Sequence, residues 1–125
     1  MQVHTIYLVE DSPLLVERLV EMLDAVPGAR VSGVAAGADD AIEDILAERP
    51  DMVLLDLQLA QGSGYDVLKA LHEMAPEIDV FMMSSFAAEP YRRIALRLGA
   101  RDFFDKGTEL RRLRALVAAR AATRH

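Results

Sequence analysis

Four short runs in this chain each end on a residue able to do chemistry. Glu10-Asp11 follows Thr5 to Val9, Asp56 follows Met52-Val53-Leu54-Leu55, Ser84-Ser85 follows Asp79 to Met83, and Asp105-Lys106 follows Asp102 to Phe104. If these runs are parallel strands of one sheet, their ends bring Glu10, Asp11, Asp56, Ser84 and Lys106 to the same edge. Adjacent strands lie about 4.8 Å apart, so Asp11 and Asp56 would sit roughly 5 Å from one another. Two unit charges at that distance repel by about 3 kcal/mol at an effective dielectric of ~20. Either one carboxyl keeps its proton or a cation binds, and an all-oxygen site open to water suits Mg²⁺. Lys106 offers a second positive charge. A divalent cation and an ammonium beside a carboxylate form an electrostatic clamp for a transferring phosphoryl group, with Asp56 as the nucleophile.

Taken singly, these residues have ordinary readings. Glu10-Asp11 suits a solvated loop or a helix cap, Ser84 a turn hydroxyl, and Lys106 an exposed amine. Asp56 is different, because an acid directly after four apolar residues stands at the edge of a buried strand, where losing water is costly. The specificity lies in all of them occurring at successive strand ends.

The elements that must position these groups follow from periodicity and punctuation. Thr5 to Val9 reads as a strand, and Pro13 to Asp24 as a helix capped by Ser12, with Pro13 in the first position. Pro27-Gly28 turns the chain into a strand from Arg30 to Ala35. A helix opening at Asp39 or Asp40 then carries Ala41, Ile42, Ile45 and Leu46 on one face and closes at Pro50. Asp51 to Leu55 is apolar after its first residue, the pattern of a central strand covered on both faces. Ser63 leads into a helix with Val67, Leu68 and Leu71 inward, ended by Pro76, and Asp79 to Met83 is a fourth strand. A helix from Pro90 to about Leu98 is capped by Gly99, Asp102 to Phe104 is a short fifth strand, and Thr108 caps a last helix carrying Leu110, Leu113, Leu116 and Val117. Strands alternating with helices imply an α/β domain, a (βα)₅ doubly wound parallel sheet with the flavodoxin-like order 2-1-3-4-5. Its ligand site belongs at the carboxyl ends of strands one and three.

Composition bounds the alternatives. The 125 residues, 52% of them hydrophobic, suit one domain over residues 1–125 and supply one core. No apolar run approaches the roughly 20 residues of a membrane span, and no leader pattern opens the chain, so a cytoplasmic protein without membrane contact is expected. Without cysteine, and with histidines only at 4, 72 and 125, a zinc or haem site is not expected. The net charge of −6 is unevenly spread: residues 1–88 hold 16 acids and 4 bases, residues 89–125 hold 4 acids and 10 bases. Arg111, Arg112, Arg114, Arg120 and Arg124 form a basic end, but without interleaved aromatics direct nucleic-acid binding is not expected.

The ordered set Tyr7-Leu8-Val9-Glu10-Asp11-Ser12, Val53-Leu54-Leu55-Asp56-Leu57, Ser63-Gly64, Met83-Ser84-Ser85, Gly99-Ala100 and Phe104-Asp105-Lys106 resembles the receiver domains of two-component response regulators over nearly the whole chain. The resemblance implies that Asp56 is the phosphoacceptor, that Asp11 binds Mg²⁺ directly and Glu10 mostly through water, and that the Gln58 carbonyl completes the protein ligands. It implies that Ser84 and Lys106 hold phosphoryl oxygens, and that Ser84 and Phe103 switch a surface built from helix four, strand five and helix five. Phe103 equally suits a plain core aromatic. A sensor histidine kinase or a histidine phosphotransfer protein would be the donor, and a downstream protein the target. Three positions depart from the usual pattern. Ala60 stands where a proline is common, Ser84 where threonine is common, and Gly107 where many receivers have a proline with a cis bond.

Two other classes share parts of the pattern. A phosphatase working through a phosphoaspartate needs a second acid two residues after the nucleophile, where this chain has Gln58. A flavin module needs a phosphate-cradling loop after strand one, where Glu10-Asp11 would repel the phosphate. The chain is therefore expected to catalyse only its own phosphorylation and dephosphorylation rather than turn over a substrate. Phe86, on the loop after strand four, is expected either to shield a phosphoaspartate from water or to pack against helix four.

Overall fold

The computed structural model describes residues 2–85 and 89–123. Five strands alternate with five helices. They are β1 (His4–Val9), α1 (Pro13–Asp24), β2 (Ala29–Ala35), α2 (Ala38–Glu48), β3 (Met52–Asp56), α3 (Gly64–Met74), β4 (Asp79–Ser84), α4 (Glu89–Arg97), β5 (Phe103–Asp105) and α5 (Leu110–Ala122). The strands form one sheet in the order β2-β1-β3-β4-β5, and every neighbouring pair is parallel. This is the doubly wound architecture expected from the alternation of elements.

The apolar runs are explained by two-sided burial. Successive side chains of a strand point to opposite faces. Tyr7, Val9, Val53, Leu55, Val80 and Met82 pack with α2 and α3 on one face. Ile6, Leu8, Met52, Leu54, Phe81 and Met83 pack with α1 and α5 on the other. No side chain of β1 from Ile6 to Val9, or of β3 from Met52 to Leu55, keeps measurable exposure. Each such side chain contributes roughly 1.5–3 kcal/mol on burial, so the central strands are held most firmly where they end on the acidic residues.

Several boundaries move from their sequence-based positions, each for a local reason. Ser12 does cap α1, its hydroxyl accepting from Leu15 N–H at 3.4 Å. Helix α2 begins one residue before Asp39, with Gly37 at its N-cap and no side-chain cap of its own. Asp51 lies just outside β3, because its carboxylate accepts from both the backbone N–H and the hydroxyl of Thr5, at 2.9 and 3.0 Å. Strand β5 is shifted by one, from Asp102–Phe104 to Phe103–Asp105, since the Asp102 carboxylate turns to the Phe103 N–H at 2.7 Å. Thr108 does not cap the last helix. Asp105 Oδ1 accepts from Gly107 N–H (2.7 Å) and Thr108 N–H (3.1 Å), which holds Thr108 in a turn, and α5 starts after Glu109. Its inward face is Leu113, Val117 and Ala121, while Leu110 and Leu116 are only partly covered.

At the mouth of α3 the backbone comes unusually close to β3. A Cβ on Gly64 would collide with the Asp56 carbonyl oxygen and stand 2.9 Å from both Leu57 Cα and Met82 Cε. Gly64→Ala should therefore cost about 2 kcal/mol of unfolding free energy in urea denaturation, although the same change inside an ordinary helix gains up to about 1 kcal/mol. A stability equal to or above that of the parent would show that this loop is free to move away.

Candidate functional site

The strand ends gather Glu10, Asp11 and Asp56. One carboxylate oxygen from each lies within 4.8 Å of the other two. Glu10 and Asp56 are almost fully buried, 2% and 3% exposed, whereas Asp11 faces solvent. An all-oxygen cluster with one wet side is a donor set for a hard divalent cation, and the close approach of three acids gives it a reason to bind one. Glu10 is fixed from behind, its Oε2 accepting from Ser12 N–H at 2.9 Å, so the turn that caps α1 also orients this acid.

Lys106 ties the two buried acids together. Its Nζ lies 2.7 Å from Glu10 Oε1 and 2.9 Å from Asp56 Oδ2. Burial alone would depress the lysine, but the hydrogen bonds to Glu10 and Asp56 outweigh it and raise its pKa, so the ammonium is retained. The Asp56 carboxyl is pushed up from 3.8 to about 6, first by burial and then by the Glu10 charge, against the lowering effects of Lys106 and of the Gln58 backbone N–H. A single ammonium between two buried carboxylates thus leaves a shortfall of positive charge at Asp56.

The turn after β5 delivers Lys106. The Lys106 N–H extends the β4–β5 pairing by bonding the Ser84 carbonyl at 3.0 Å. The Gly107 N–H, which a proline could not offer, is one of the two donors to Asp105 Oδ1. Replacement of the usual proline by glycine therefore leaves Lys106 well placed, with the turn held by a side chain. Ser84, 1% exposed, ends β4 opposite Asp105 in register, and Met83 is the register partner of Asp56. Gln58 sits beside Asp56 through its backbone N–H, while its side chain is exposed. Phe103 is wholly buried among the residues of the α2 and α3 side of the sheet. Phe86 lies outside the described residues.

One feature of this face went unread in the sequence. Arg92 of α4 and Arg112 of α5 both donate to the Phe103 carbonyl, at 2.9 and 3.0 Å, and both pair with the Asp102 carboxylate, at 3.2 and 2.6 Å. Arg112 also stacks 4.2 Å over the Phe104 ring and binds Glu109 at 3.0 Å. Burial pushes the Asp102 carboxyl up, but Arg112, the Phe103 N–H and Arg92 together bring it below its usual range. Arg120 likewise stacks over Phe81, at 5.0 Å, and pairs with Asp79. Two members of the basic end are thus structural. The Glu109-Arg112 spacing was the only local hint, since stacking on a strand aromatic depends on tertiary packing.

Comparison with known proteins decides the family. The model for the response regulator receiver domain matches residues 6–118. The chain belongs to the response regulator receiver family. It is 41% identical over 78 residues to the regulatory protein LuxO of Vibrio cholerae, covering 62% of this chain and 17% of that protein. It is 31% identical over 104 residues to protein-glutamate methylesterase/protein-glutamine glutaminase 3 of Geobacter sulfurreducens, covering 83% of this chain and 28% of that one. The chain therefore spans less than a third of the length of either relative. The crystal structure of the response regulator domain of Thermotoga maritima CheB superposes with a TM-score of 0.84 at 26% identity, covering 97% of this chain and 95% of that one. This receiver domain is accordingly a two-component signalling module. Among the described residues no helix is long and apolar enough to cross a membrane.

The shortfall of charge at Asp56 has a consequence for stability. Between pH 3.8 and about 6 the folded chain keeps a proton that the unfolded chain has released, so this group lowers stability as pH rises through that window. With divalent cations chelated, Asp56→Asn should be more stable than the parent by about 2 kcal/mol at pH 7. The advantage should fade below about pH 4, when Asp56 is protonated in both states. Urea titrations at the two pH values check this; an asparagine variant less stable than the parent at pH 7 contradicts it.

Proposed function

We propose that this receiver domain accepts a phosphoryl group on Asp56 from the phosphohistidine of a sensor histidine kinase or a histidine phosphotransfer protein, with Mg²⁺ at the acidic cluster. The observation that carries the reading is the Asp56 carboxylate clustered with the Glu10 and Asp11 acids and in contact with the Lys106 ammonium. Asp11, Asp56 and Glu10 would hold the cation, joined by the Gln58 carbonyl that the family resemblance implies. When bound, the cation supplies positive charge against the phosphoryl oxygens and the carboxylates.

The residues of the chain then have separate tasks. An Asp56 oxygen attacks phosphorus as the bond from phosphorus to the donor imidazole nitrogen breaks, and that nitrogen takes up the freed electron pair. Lys106, already charged and 2.9 Å from Asp56 Oδ2, donates to an equatorial phosphoryl oxygen. Ser84 donates to another from the end of β4. Fixed donors aimed at developing charge cost no reorganisation during transfer. The chain acts on itself, so it is not a turnover enzyme. Output passes through a face that includes Ser84 and Phe103, where the Phe103 carbonyl is bound by Arg92 and Arg112, to a protein target in the cytoplasm.

Acetyl phosphate labelling followed by mass mapping tests the reading. Labelling should require Mg²⁺, fall on Asp56 alone and vanish in folded Asp56→Asn. Mg²⁺ at roughly ten times its Kd should stabilise the parent by about 1.4 kcal/mol, and Asp11→Ala should cancel this gain. Undiminished labelling of Asp56→Asn, or a melting temperature indifferent to Mg²⁺, overturns the proposal.

A further inference from the structure

We infer that Gln61 is a positioning residue for the cation and phosphoacceptor site, acting by pinning the loop that carries Gln58 to the first turn of α2. The inference rests on the divalent-cation reading given above. The loop leaves the sheet after Asp56 and enters α3 at Gly64, whose N–H bonds the Leu57 carbonyl at 2.9 Å. Gln58 and Ser63 face each other across it as an antiparallel bridge. Gln58 also sets its backbone N–H against the Asp56 carboxylate. Whatever fixes the tip of this loop therefore fixes the backbone at Gln58.

The tip is held from outside by Gln61. Its carbonyl accepts from Ala38 N–H at 2.8 Å, its Oε1 accepts from Asp39 N–H at 3.2 Å, and its Nε2 donates to Asp39 Oδ2 at 3.2 Å. The first N–H groups of a helix have no partner within the helix, and Gly37 supplies no side-chain cap to α2. Gln61 fills that role from 22 residues away. Gly62 makes the approach feasible: it has φ of +81°, and a Cβ there would stand 2.6 Å from Ala38 Cβ. Helix α2 is itself seated on the sheet by Ala38, Ala41 and Ile45. A path of direct contacts thus runs from the sheet through α2 and Gln61 to the loop beside Asp56. Gln61 is exposed and makes no buried contribution to the core, so its side chain can be removed without opening a cavity.

The experiment must separate positioning from simple capping of α2. Mg²⁺ affinity is measured by calorimetry on the whole chain for the parent, Gln61→Ala and Gln61→Ala/Gly37→Ser, with melting temperatures for each. Serine at an N-cap bonds the helix N–H groups itself, so the double variant restores the cap of α2 without restoring the side-chain link from position 61 to Asp39, while the backbone bond to Ala38 persists in both variants. Loss of a direct outer partner of a metal ligand costs roughly 10–100-fold in affinity; Gln61 acts through the loop backbone, so about tenfold, the lower end, is expected for Gln61→Ala. The double variant should regain melting temperature but keep the weakened affinity. Unchanged affinity in Gln61→Ala, or affinity recovered in the double variant, overturns the positioning role. Absence of Mg²⁺ binding in the parent would instead overturn the cation reading itself, and this inference with it.

Discussion

Two buried carboxylates share one ammonium at the edge of this sheet, and most of the structure around the site follows from that arrangement. Glu10 directly follows β1 and Asp56 ends β3, at the close of two runs, Ile6 to Val9 and Met52 to Leu55, whose side chains are fully covered. Burial there stabilises the fold but withdraws water from the acids. Lys106 restores part of the lost solvation by bridging them. Removing Lys106 from this set would be costly, because two buried acids would be left uncompensated. The raised Asp56 carboxyl shows that the compensation is partial. A site built this way favours whatever brings more positive charge, which is the chemical basis of the cation and phosphoryl binding proposed for it.

The same constraint explains the turns. Lys106 must reach across β4 from the end of β5, so the chain after it is held by Asp105 and Glu109: Asp105 accepts from Gly107 and Thr108, and Glu109 accepts from the Asp105 N–H at 2.9 Å. On the other side Gly64 lets the backbone of α3 approach β3, and Gln61 ties the intervening loop to α2. Asp102, Arg92 and Arg112 bind α4 and α5 to the first residues of β5, three positions before Lys106. The surface formed by α4, β5 and α5 is thereby connected through one short strand to Lys106 and, through it, to Asp56.

Much of this was legible in the sequence, for identifiable reasons. Runs such as Met52 to Leu55 can be read because a strand covered on both faces has no polar position to spare. The acids and Lys106 could be read because each directly follows such a run. What escaped was set by local competition for backbone groups or by contacts distant in sequence. Thr108 is a good local cap, but Asp105 claims its N–H first. Asp39 and Asp40 look like helix openers, yet α2 begins at Ala38 because Gln61 satisfies its first amides. Arg112 and Arg120 read only as members of a basic end, and packing alone places them over Phe104 and Phe81. Strand order followed from topology rules, whereas side-chain partners across elements did not.

The electrostatics of Asp56 can be read directly. The Asp56 carboxyl carbon is followed by NMR through an acid titration, with divalent cations chelated, in the parent and in Lys106→Met. The parent should titrate well above the ordinary aspartate value of 3.8, near the value of about 6 set by burial and by Glu10, and loss of the ammonium should move the midpoint higher still. An ordinary midpoint in the parent, or one that Lys106→Met leaves unmoved, would contradict the claim that this pair of buried acids depends on Lys106.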